Sequence, residues 1–350
     1  MQSDSVIISR TPFRISFFGG GTDYPVWYRE HGGAVLATTI DKYCYISCRY
    51  LPPFFEYKSR VAYSKIETVK SNGDIEHPAV RGVLSYLKIE DGVEIHHDGD
   101  LPARTGLGSS SAFSVGLLHA LYALKQTMPT KMQLVKEAIH IERDILRESV
   151  GCQDQAITVH GGLCQIKFSP DDAISVTPVI VSRQRLLDLQ AHLLLYFTGF
   201  SRMASEIAKE QIEQTKDRKS ELLAMFQLVS EGISVLASDS DLTSFGRLLH
   251  EGWTLKRSLT SKISSAEIDR IYDVARKAGC IGGKLLGAGG GGFMLLFARP
   301  EDHPRVRRAL NQFLCVPFRF EANGTQIMLY DPGTLMERNY PEHSACLKRG

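Results

Sequence analysis

A glycine- and serine-rich segment between Leu101 and Ala112 is the part of the sequence best suited to hold a phosphate group. Alternating apolar and polar residues before it predict a half-buried strand, and apolar residues at helical spacing after it predict a helix. Gly106 and Gly108 would let the backbone approach a ligand closely. Residues 109–111, all serine, would then begin the helix, where unpaired N–H groups and the helix dipole favour an anion. A serine-capped helix after a glycine turn explains the same residues about equally well.

This central loop is not a Walker A sequence, because no Lys-Ser or Lys-Thr follows its second glycine at the required spacing. Two further glycine clusters stand near the ends of the chain, at residues 10–25 and 284–293. The later cluster contains Gly-x-Gly-x-x-Gly, but a helix is predicted before it, a strand after it, and position 312 is Gln. That context excludes a dinucleotide site. The four glycines at 289–292 instead indicate close approach to a bound ligand or to a facing loop.

In order, spacing and number, the three clusters resemble the motif set of the GHMP small-molecule kinases, the family of galactokinase, homoserine kinase and mevalonate kinase. The resemblance covers about residues 9–297 and is closest to the heptose 7-phosphate kinases of the galactokinase-like branch. It implies an α+β chain with two domains and an active site in the cleft between them. A turn and a charged helical segment place the first domain at 1–185 and the second, which carries the loop 287–292, at 186–350.

The resemblance also implies roles for individual residues. Asp154 would take the proton of the acceptor hydroxyl, with Arg14 beside it, and Ser110 and Glu142 would hold Mg²⁺. ATP contacts are expected from Pro102, Arg104, Gly106, Leu107, Gly108, Ser109, Ser110, Ser111, Gly289 and Gly290. Sugar contacts are expected from Gly20, Gly21, Thr22, Asp23 and Tyr24. Taken by themselves, the residues also allow Asp154 to be a turn residue and Arg14 a paired strand residue at the surface.

Glu142 is the carboxylate whose position predicts an energetic cost. It continues an apolar helical stripe over residues 135–146, and an ionised carboxylate buried there needs a cation. Without the resemblance, a salt bridge to a neighbour such as Arg143 or Arg147 is the favoured explanation. The resemblance favours Mg²⁺ as that cation.

The expected substrate rests on the first cluster. Gly20 and Gly21 stand where galactokinases typically carry Glu and His, which leaves room for a larger exocyclic group, although a sharp turn would also explain two glycines. The resemblance implies phosphorylation of D-glycero-D-manno-heptose 7-phosphate at its anomeric hydroxyl, giving the 1,7-bisphosphate for nucleotide-activated heptose of surface polysaccharides. A fucokinase-like or galactokinase-like enzyme and a non-catalytic ATP and sugar sensor stay open. Side chains that could hold the sugar phosphate are Arg104, Arg202 and Lys256.

Composition narrows the partners to small molecules. The 350 residues contain 41 Lys and Arg against 39 Asp and Glu, which gives no overall field for nucleic acid or an anionic membrane. Seven cysteines without metal-ligand spacing predict reduced thiols. Without a leader or an apolar run near 18 residues, the chain is expected to be cytoplasmic, with ATP and a sugar phosphate as its partners. The oligomeric state is left open, with a homodimer among the options.

Overall fold

The computed structural model describes residues 6–52, 54–199 and 204–330. The strands are β1 (Ile7–Phe18), β2 (Gly33–Tyr50), β3 (Ser59–Ala62), β4 (Ile66–Val69), β5 (Val93–Gly99), β6 (Leu163–Phe168), β7 (Ile174–Pro178), β8 (Leu193–Phe197), β9 (Gly282–Leu285), β10 (Phe293–Phe297), β11 (Leu314–Cys315), β12 (Phe320–Glu321) and β13 (Gln326–Leu329). The helices are α1 (Pro25–His31), α2 (Pro78–Tyr86), α3 (Ser109–Leu124), α4 (Lys131–His140), α5 (Gln153–His160), α6 (Arg183–Ala191), α7 (Ala204–Gln214), α8 (Lys219–Ala237), α9 (Thr243–Leu259), α10 (Ala266–Lys277) and α11 (His303–Ala309). Short 3₁₀ turns and a π-helical turn at Ile141–Ile145 complete the described elements. The predicted α+β class is confirmed.

A nine-stranded sheet forms the first half of the fold. Its main strand order is β13-β1-β2-β5-β3-β4, with β12 and β6 also on β2 and β7 on β6. The long strand β2 pairs antiparallel with nearly all of β1, then with β6 in its first part and β5 in its last. Helix α3 packs on β1 and β2, where Gly116 permits the approach. A Cβ at Gly116 would lie 2.9 Å from the Thr11 hydroxyl oxygen.

A four-stranded antiparallel sheet, in the order β11-β8-β10-β9, forms the second half. Its helices α8 and α9 pack on each other, and both also reach the first sheet. The contact is aromatic: the Phe245 ring lies 5.3 Å from that of Phe17 and 5.0 Å from that of Phe18, between ring centroids. Phe17 and Phe18 end β1, directly before the glycines of the first cluster. One continuous core therefore supports the start of this glycine turn.

The two halves of the fold are not two consecutive segments of the chain. The predicted boundary at 185 and 186 lies within α6 and stays a prediction. Strand β12 pairs with β2, and β13 pairs with β1, so the chain returns to the first sheet after it has built the second. Of the predicted second domain, residues 200–203 and 331–350 lie outside the described part of the chain.

Helix α8 is, among the described residues, the one helix long and apolar enough to cross a membrane by length and composition. Its buried side chains, such as Met225 and Leu228, face the interior, and the helix packs against α9, β1 and β2. At Gly232 a Cβ would lie 2.5 Å from the Phe18 ring. These contacts are those of a core helix.

The central loop and the later glycine cluster touch backbone to backbone. Gly106 (φ +83°) and Gly287 (φ +73°) face each other, and a Cβ on Gly287 would lie 2.4 Å from the Gly106 Cα. Farther along, a Cβ on Gly292 would lie 2.3 Å from the Thr105 carbonyl oxygen, which accepts a hydrogen bond from the Phe293 N–H at 3.0 Å. The predicted close approach to a facing loop is therefore confirmed.

We expect Gly287→Ala to lower the free energy of unfolding by at least about 1–2 kcal/mol, the cost of a left-handed conformation for a residue with a Cβ. The clash with the Gly106 backbone adds to that cost because neither loop has a flexible side chain that could move aside. Urea denaturation measures the change. Gly73→Ala is the control, since a Cβ there meets only the Ser71 hydroxyl at 3.6 Å. Equal stability of both variants would show that the two loops do not need this contact.

Candidate active site

A cleft of about 660 Å³ lies where the three glycine clusters meet. The sequence-predicted site residues that line it are Arg14, Gly20, Gly21, Asp23, Tyr24, Arg104, Gly106, Gly108, Ser109, Ser110, Ser111 and Asp154. The predicted residues that do not line it are Pro102, Leu107, Thr22, Glu142, Gly289 and Gly290. Leu107 and Thr22 are fully buried in the core. The backbone of Gly289 and Gly290 packs on Ile263, so the close approach of these glycines is to protein.

Arg14 and Asp154 form a two-pronged ion pair although 140 positions separate them in the sequence. The Arg14 Nε donates to Asp154 Oδ1 and its Nη2 to Oδ2, both at 2.7 Å. The third prong, Nη1, donates to the Gly106 carbonyl at 2.5 Å. Arg14 is buried on β1, whereas the Asp154 side chain, in the first turn of α5, keeps 22% of its surface exposed to the cleft. This geometry fixes one carboxylate beside a cation and aims it into the cleft.

The glycines of the central loop shape the space around this pair. Gly108 adopts φ +74°, and a Cβ there would lie 3.1 Å from the Arg14 Cγ and 3.3 Å from Asp154 Oδ2. Helix α3 begins directly afterwards at Ser109, whose hydroxyl accepts a hydrogen bond from the Arg104 N–H at 3.1 Å. The N-terminus of a 16-residue helix therefore opens on the cleft beside the ion pair, as an anion site requires.

Asp23 lies near the ion pair and is buried. Its carboxylate accepts hydrogen bonds from the backbone N–H groups of Gly21 at 2.9 Å and Gln153 at 3.3 Å. A Cβ at Gly151 would lie 1.9 Å from this carboxylate, which accounts for glycine there. Burial, reinforced by the Asp154 charge, raises the pKa of Asp23 above its usual range. Asp23 is thus fixed by the backbone, with little freedom to move.

Gly20 and Gly21 differ in whether the structure around them requires glycine. Gly21 has φ +104°, and a Cβ on it would lie 2.7 Å from the Gln211 side-chain nitrogen, so the turn itself explains this glycine. Gly20 has room: its nearest neighbours would be the Gln153 amide at 3.6 Å and the Ser16 hydroxyl at 3.7 Å. Of these two glycines, only Gly20 leaves open space, and its use by a larger sugar stays a prediction.

Two polar atoms beside Gly20 are the first site features that the sequence analysis missed. Ser16 Oγ and Gln153 Oε1 are buried, line the cleft and have no hydrogen-bond partner among the described residues. Buried polar atoms normally are paired, and ligand hydroxyl groups could pair these two. The signal was weak, because a serine in a strand and a glutamine at the start of a helix are common in structural roles.

Glu142 is completely buried in the π-helical turn behind the central loop. Its Oε2 accepts hydrogen bonds from the Ser111 hydroxyl at 2.9 Å and the Gln155 amide at 2.6 Å, and its Oε1 has no partner among the described residues. Burial raises the pKa of Glu142 to about 7. The alternative of a salt bridge to Arg143 or Arg147 is not found in the described structure, so the carboxylate lacks a cation.

This environment fits Mg²⁺, judged by the unpartnered Glu142 oxygen. Magnesium is commonly bound through one or two carboxylates together with water and substrate phosphates. Among the described residues, no three His, Cys, Asp or Glu side chains gather as a metal cluster. Hydroxyl groups of Ser111 and Ser114 act on Glu142, while the neighbouring Ser110 is exposed in the cleft. The predicted pairing of Ser110 with Glu142 stays a prediction.

Lys256 and Lys284 are buried cations that line the same cleft. Lys256, already a candidate for holding a sugar phosphate, lies on the buried face of α9, three positions after Trp253. Lys284, on β9, had no predicted role. The sequence feature that could have identified Lys284 is a lysine in a strand shortly before the glycine-rich loop 287–292, where an apolar residue would be expected. Arg104 lines the cleft as well, whereas Arg202 lies outside the described residues.

Comparison with known proteins gives one consistent result. The model of the GHMP kinases N terminal domain matches residues 77–162, and that of the GHMP kinases C terminal domain matches residues 233–314. A D-glycero-alpha-D-manno-heptose 7-phosphate kinase of Campylobacter jejuni is 28% identical over 319 residues, 87% of this chain and 93% of that protein. A galactokinase of Pyrococcus furiosus is 25% identical over 91% of this chain and 96% of its own.

A solved structure supports the same relationship. The crystal structure of a D-glycero-D-manno-heptose 1-phosphate kinase from Bacteroides thetaiotaomicron superimposes with a TM-score of 0.76 at 26% identity. The match covers 92% of this chain and 99% of that one. The resemblance drawn from the three glycine clusters, and the fold it implied, are confirmed.

Without a metal, the buried Glu142 should lower the free energy of unfolding as the pH rises. We expect Glu142→Gln to remove this loss. Because folding raises the pKa of Glu142 from 4.5 to about 7, its contribution is fully present below pH 4.5 and is lost as the pH rises through 7. Relative to the unsubstituted chain, the variant should therefore gain up to about 3 kcal/mol between pH 4.5 and pH 8. Denaturation with a chelator present, at both pH values, measures this gain.

Glu301→Gln, an exposed substitution, is the control and should show no such gain. Added Mg²⁺ should stabilise the unsubstituted chain at pH 8 but not Glu142→Gln. A variant that is instead less stable at pH 8, with unchanged dependence on Mg²⁺, would identify Glu142 as a structural residue.

Proposed function

Because this chain belongs to the GHMP kinase family, we propose that it is an ATP- and Mg²⁺-dependent kinase that phosphorylates the anomeric hydroxyl of D-glycero-D-manno-heptose 7-phosphate. The product is the 1,7-bisphosphate, used for nucleotide-activated heptose of surface polysaccharides, and the reaction takes place in the cytoplasm. The observation that carries the proposal is the bidentate pairing of Arg14 with Asp154 at the N-terminus of α3. It combines a proton acceptor, a cation and an anion site within one cleft.

The chain's own residues account for the steps of phosphoryl transfer. ATP phosphates bind at the start of α3, where the first backbone N–H groups of a helix have no partner within the helix. Asp154 accepts the proton of the sugar hydroxyl, and Arg14 orients Asp154 and offsets charge on the moving phosphoryl group. Mg²⁺, when bound near Glu142 and a serine hydroxyl, neutralises charge on the ATP phosphates.

Two observations support a heptose phosphate as the acceptor. Gly20 leaves space in the cleft, and the unpartnered Ser16 and Gln153 atoms beside it suit sugar hydroxyl groups. The Campylobacter relative and the Bacteroides structure both carry a heptose phosphate in their names, with the phosphate at opposite ends of the sugar. We favour the 7-phosphate because the bulk that Gly20 admits belongs on the exocyclic carbons.

The principal alternative is another sugar 1-kinase, as the galactokinase relative suggests. A non-catalytic sensor of ATP and sugar would need neither Asp154 nor Glu142, so the presence of both disfavours it. An ADP-release screen over hexoses, heptoses and their phosphates separates these possibilities. Release with heptose 7-phosphate above all others is the expected result, and binding of ATP without release would identify a sensor.

We expect Asp154→Asn to lower kcat at least about 10² to 10⁴-fold, the usual contribution of a general base, without loss of ATP binding. The matched control is Asp172→Asn, because Asp172 forms a similar two-pronged pair with Arg29 at the surface, outside the cleft. Steady-state kinetics and ATP titration measure both effects. If Asp154→Asn keeps more than about a tenth of the original rate, Asp154 is not the base.

Gly20→Glu should reduce the preference for phosphorylated over unphosphorylated heptose, because a carboxylate in the cleft repels the phosphate. Two charge-assisted hydrogen bonds to a phosphate would give a preference in kcat/KM of about 10² or more, and the variant should lose most of it. Gly20→Ala is the control, since its methyl group fits without a clash. Competition assays measure the ratio. Galactose or fucose outcompeting heptose 7-phosphate in the unsubstituted enzyme would leave only the sugar-kinase assignment.

A further inference from the structure

Two lysines meet in the cleft at the boundary between its ATP side and its sugar side. Lys256, on α9, and Lys284, on β9, each expose only 6% of their surface, and both line the cleft. The Lys256 ammonium donates to the carbonyls of Leu285 and Gly287, beside the central loop. The Lys284 ammonium donates to the Phe17 carbonyl at 2.8 Å, two positions before Gly19 of the first glycine cluster. The pair therefore connects the later glycine cluster, which packs on the proposed ATP loop, to the end of β1, which leads into the proposed sugar-binding residues.

The hydrogen-bonding capacity of these ammonium groups is not used up by the protein. An ammonium has three N–H donors, and its contacts with the described residues employ two in Lys256 and one in Lys284. Neither group forms an ion pair with a carboxylate of the described chain. The nearby acids are already engaged, Asp154 by Arg14 and Asp23 by backbone N–H groups. Three donors are thus available to an anion in the cleft.

The positive charges of these lysines and of Arg14 also favour an anion in the cleft. Burial and the neighbouring Arg14 lower the pKa of Lys256 to about 7, and burial with repulsion from Lys256 and Arg14 lowers that of Lys284 well below its usual range. When both lysines are protonated, they add two positive charges to a desolvated cleft that already holds Arg14, which is unfavourable unless an anion joins them. A group with several oxygens, each able to accept hydrogen bonds, would satisfy all three.

We propose that Lys256 and Lys284 are catalytic residues that, together with Arg14, bind the phosphoryl group while it passes from ATP to the acceptor hydroxyl. The bond from the γ-phosphorus to the oxygen of the leaving ADP breaks as the acceptor oxygen bonds to the same phosphorus. The hydroxyl proton goes to Asp154, and negative charge is spread over the three transferring oxygens, where the cations stabilise it. This assignment rests on the proposed kinase activity but not on the identity of the sugar.

The other source of phosphate is the sugar itself, whose 7-phosphate could bind the same lysines. The two sources differ in what a lysine substitution changes. Loss of contact with the transferring group lowers kcat and leaves the KM for the sugar unchanged, whereas loss of contact with the sugar phosphate raises that KM. Position favours the transferring group, because both lysines line the cleft with Arg14, which holds the proposed base, and the Lys256 ammonium donates to the carbonyl of Gly287, which faces the central loop.

The test uses Lys256→Met and Lys284→Met, which remove the charge and keep an apolar chain of similar length. The exposed residue Lys277 gives the control variant Lys277→Met. Binding of Mg²⁺-ADP is measured by calorimetry with and without aluminium fluoride, an anion that imitates the phosphoryl group in transfer. We expect fluoride to tighten ADP binding in the unsubstituted and control proteins and to lose this effect in both lysine variants. ADP binding alone should not change, and kcat should fall about 10²–10³-fold.

Several results would overturn the proposal. They are continued tightening by aluminium fluoride in the variants, no tightening in the unsubstituted protein, or an increase in the KM for the sugar phosphate at unchanged kcat. Thermal melting distinguishes a catalytic from a structural role of the lysines. Removing an unpaired buried charge should maintain or raise the melting temperature of the variants, whereas loss of a structural residue would lower it. If both variants fail to fold, the lysines are structural and the proposal is wrong. An error in the sugar assignment would give a different result: aluminium fluoride would tighten ADP binding as expected, but the enzyme would not turn over heptose 7-phosphate.

Discussion

The guanidinium of Arg14 is the interaction on which the geometry of the cleft depends. All three of its nitrogen atoms are used: two orient Asp154, and the third donates to the Gly106 carbonyl. Its backbone N–H also donates to the Leu107 carbonyl at 3.0 Å, so the strand and the central loop are joined twice. A lysine could not replace it, because a single ammonium lacks the planar arrangement of donors that fixes both partners. One buried side chain thus places the proposed base and the phosphate-binding loop relative to each other.

The glycine contacts are the necessary complement of this ion pair. Gly108 leaves space for Arg14 and Asp154, and Gly106 lets the later glycine cluster approach the central loop from the other side. Side chains at these positions would separate the loops, and the guanidinium could not reach all of its partners. The narrow cleft is therefore obtained by close backbone packing, with polar side chains supplied from the surrounding strands and helices.

The sequence predicted the local features well, because glycine clusters, helix starts and apolar periodicity depend on neighbouring residues. The motif resemblance also selected Arg14 and Asp154, which the fold then brings together. It could not identify which serine contacts Glu142, since Ser110 and Ser111 are adjacent and only the orientation of α3 distinguishes them. Lys284 was missed for a related reason: its strand neighbours are apolar, and its exposure to the cleft follows from packing between distant segments.

The return of β12 and β13 to the first sheet also has a consequence for how the protein is made. Strand β1 has its outer edge covered at Ile8 to Arg10 by residues 326–329, which the ribosome delivers more than 300 residues later. Until then, that edge offers unpaired backbone groups to any other strand, a recognised route to misassembly. The second sheet, complete by Cys315, can form earlier as an inserted unit. Synthesis therefore leaves the first sheet open for the longest time at the strand that carries Arg14.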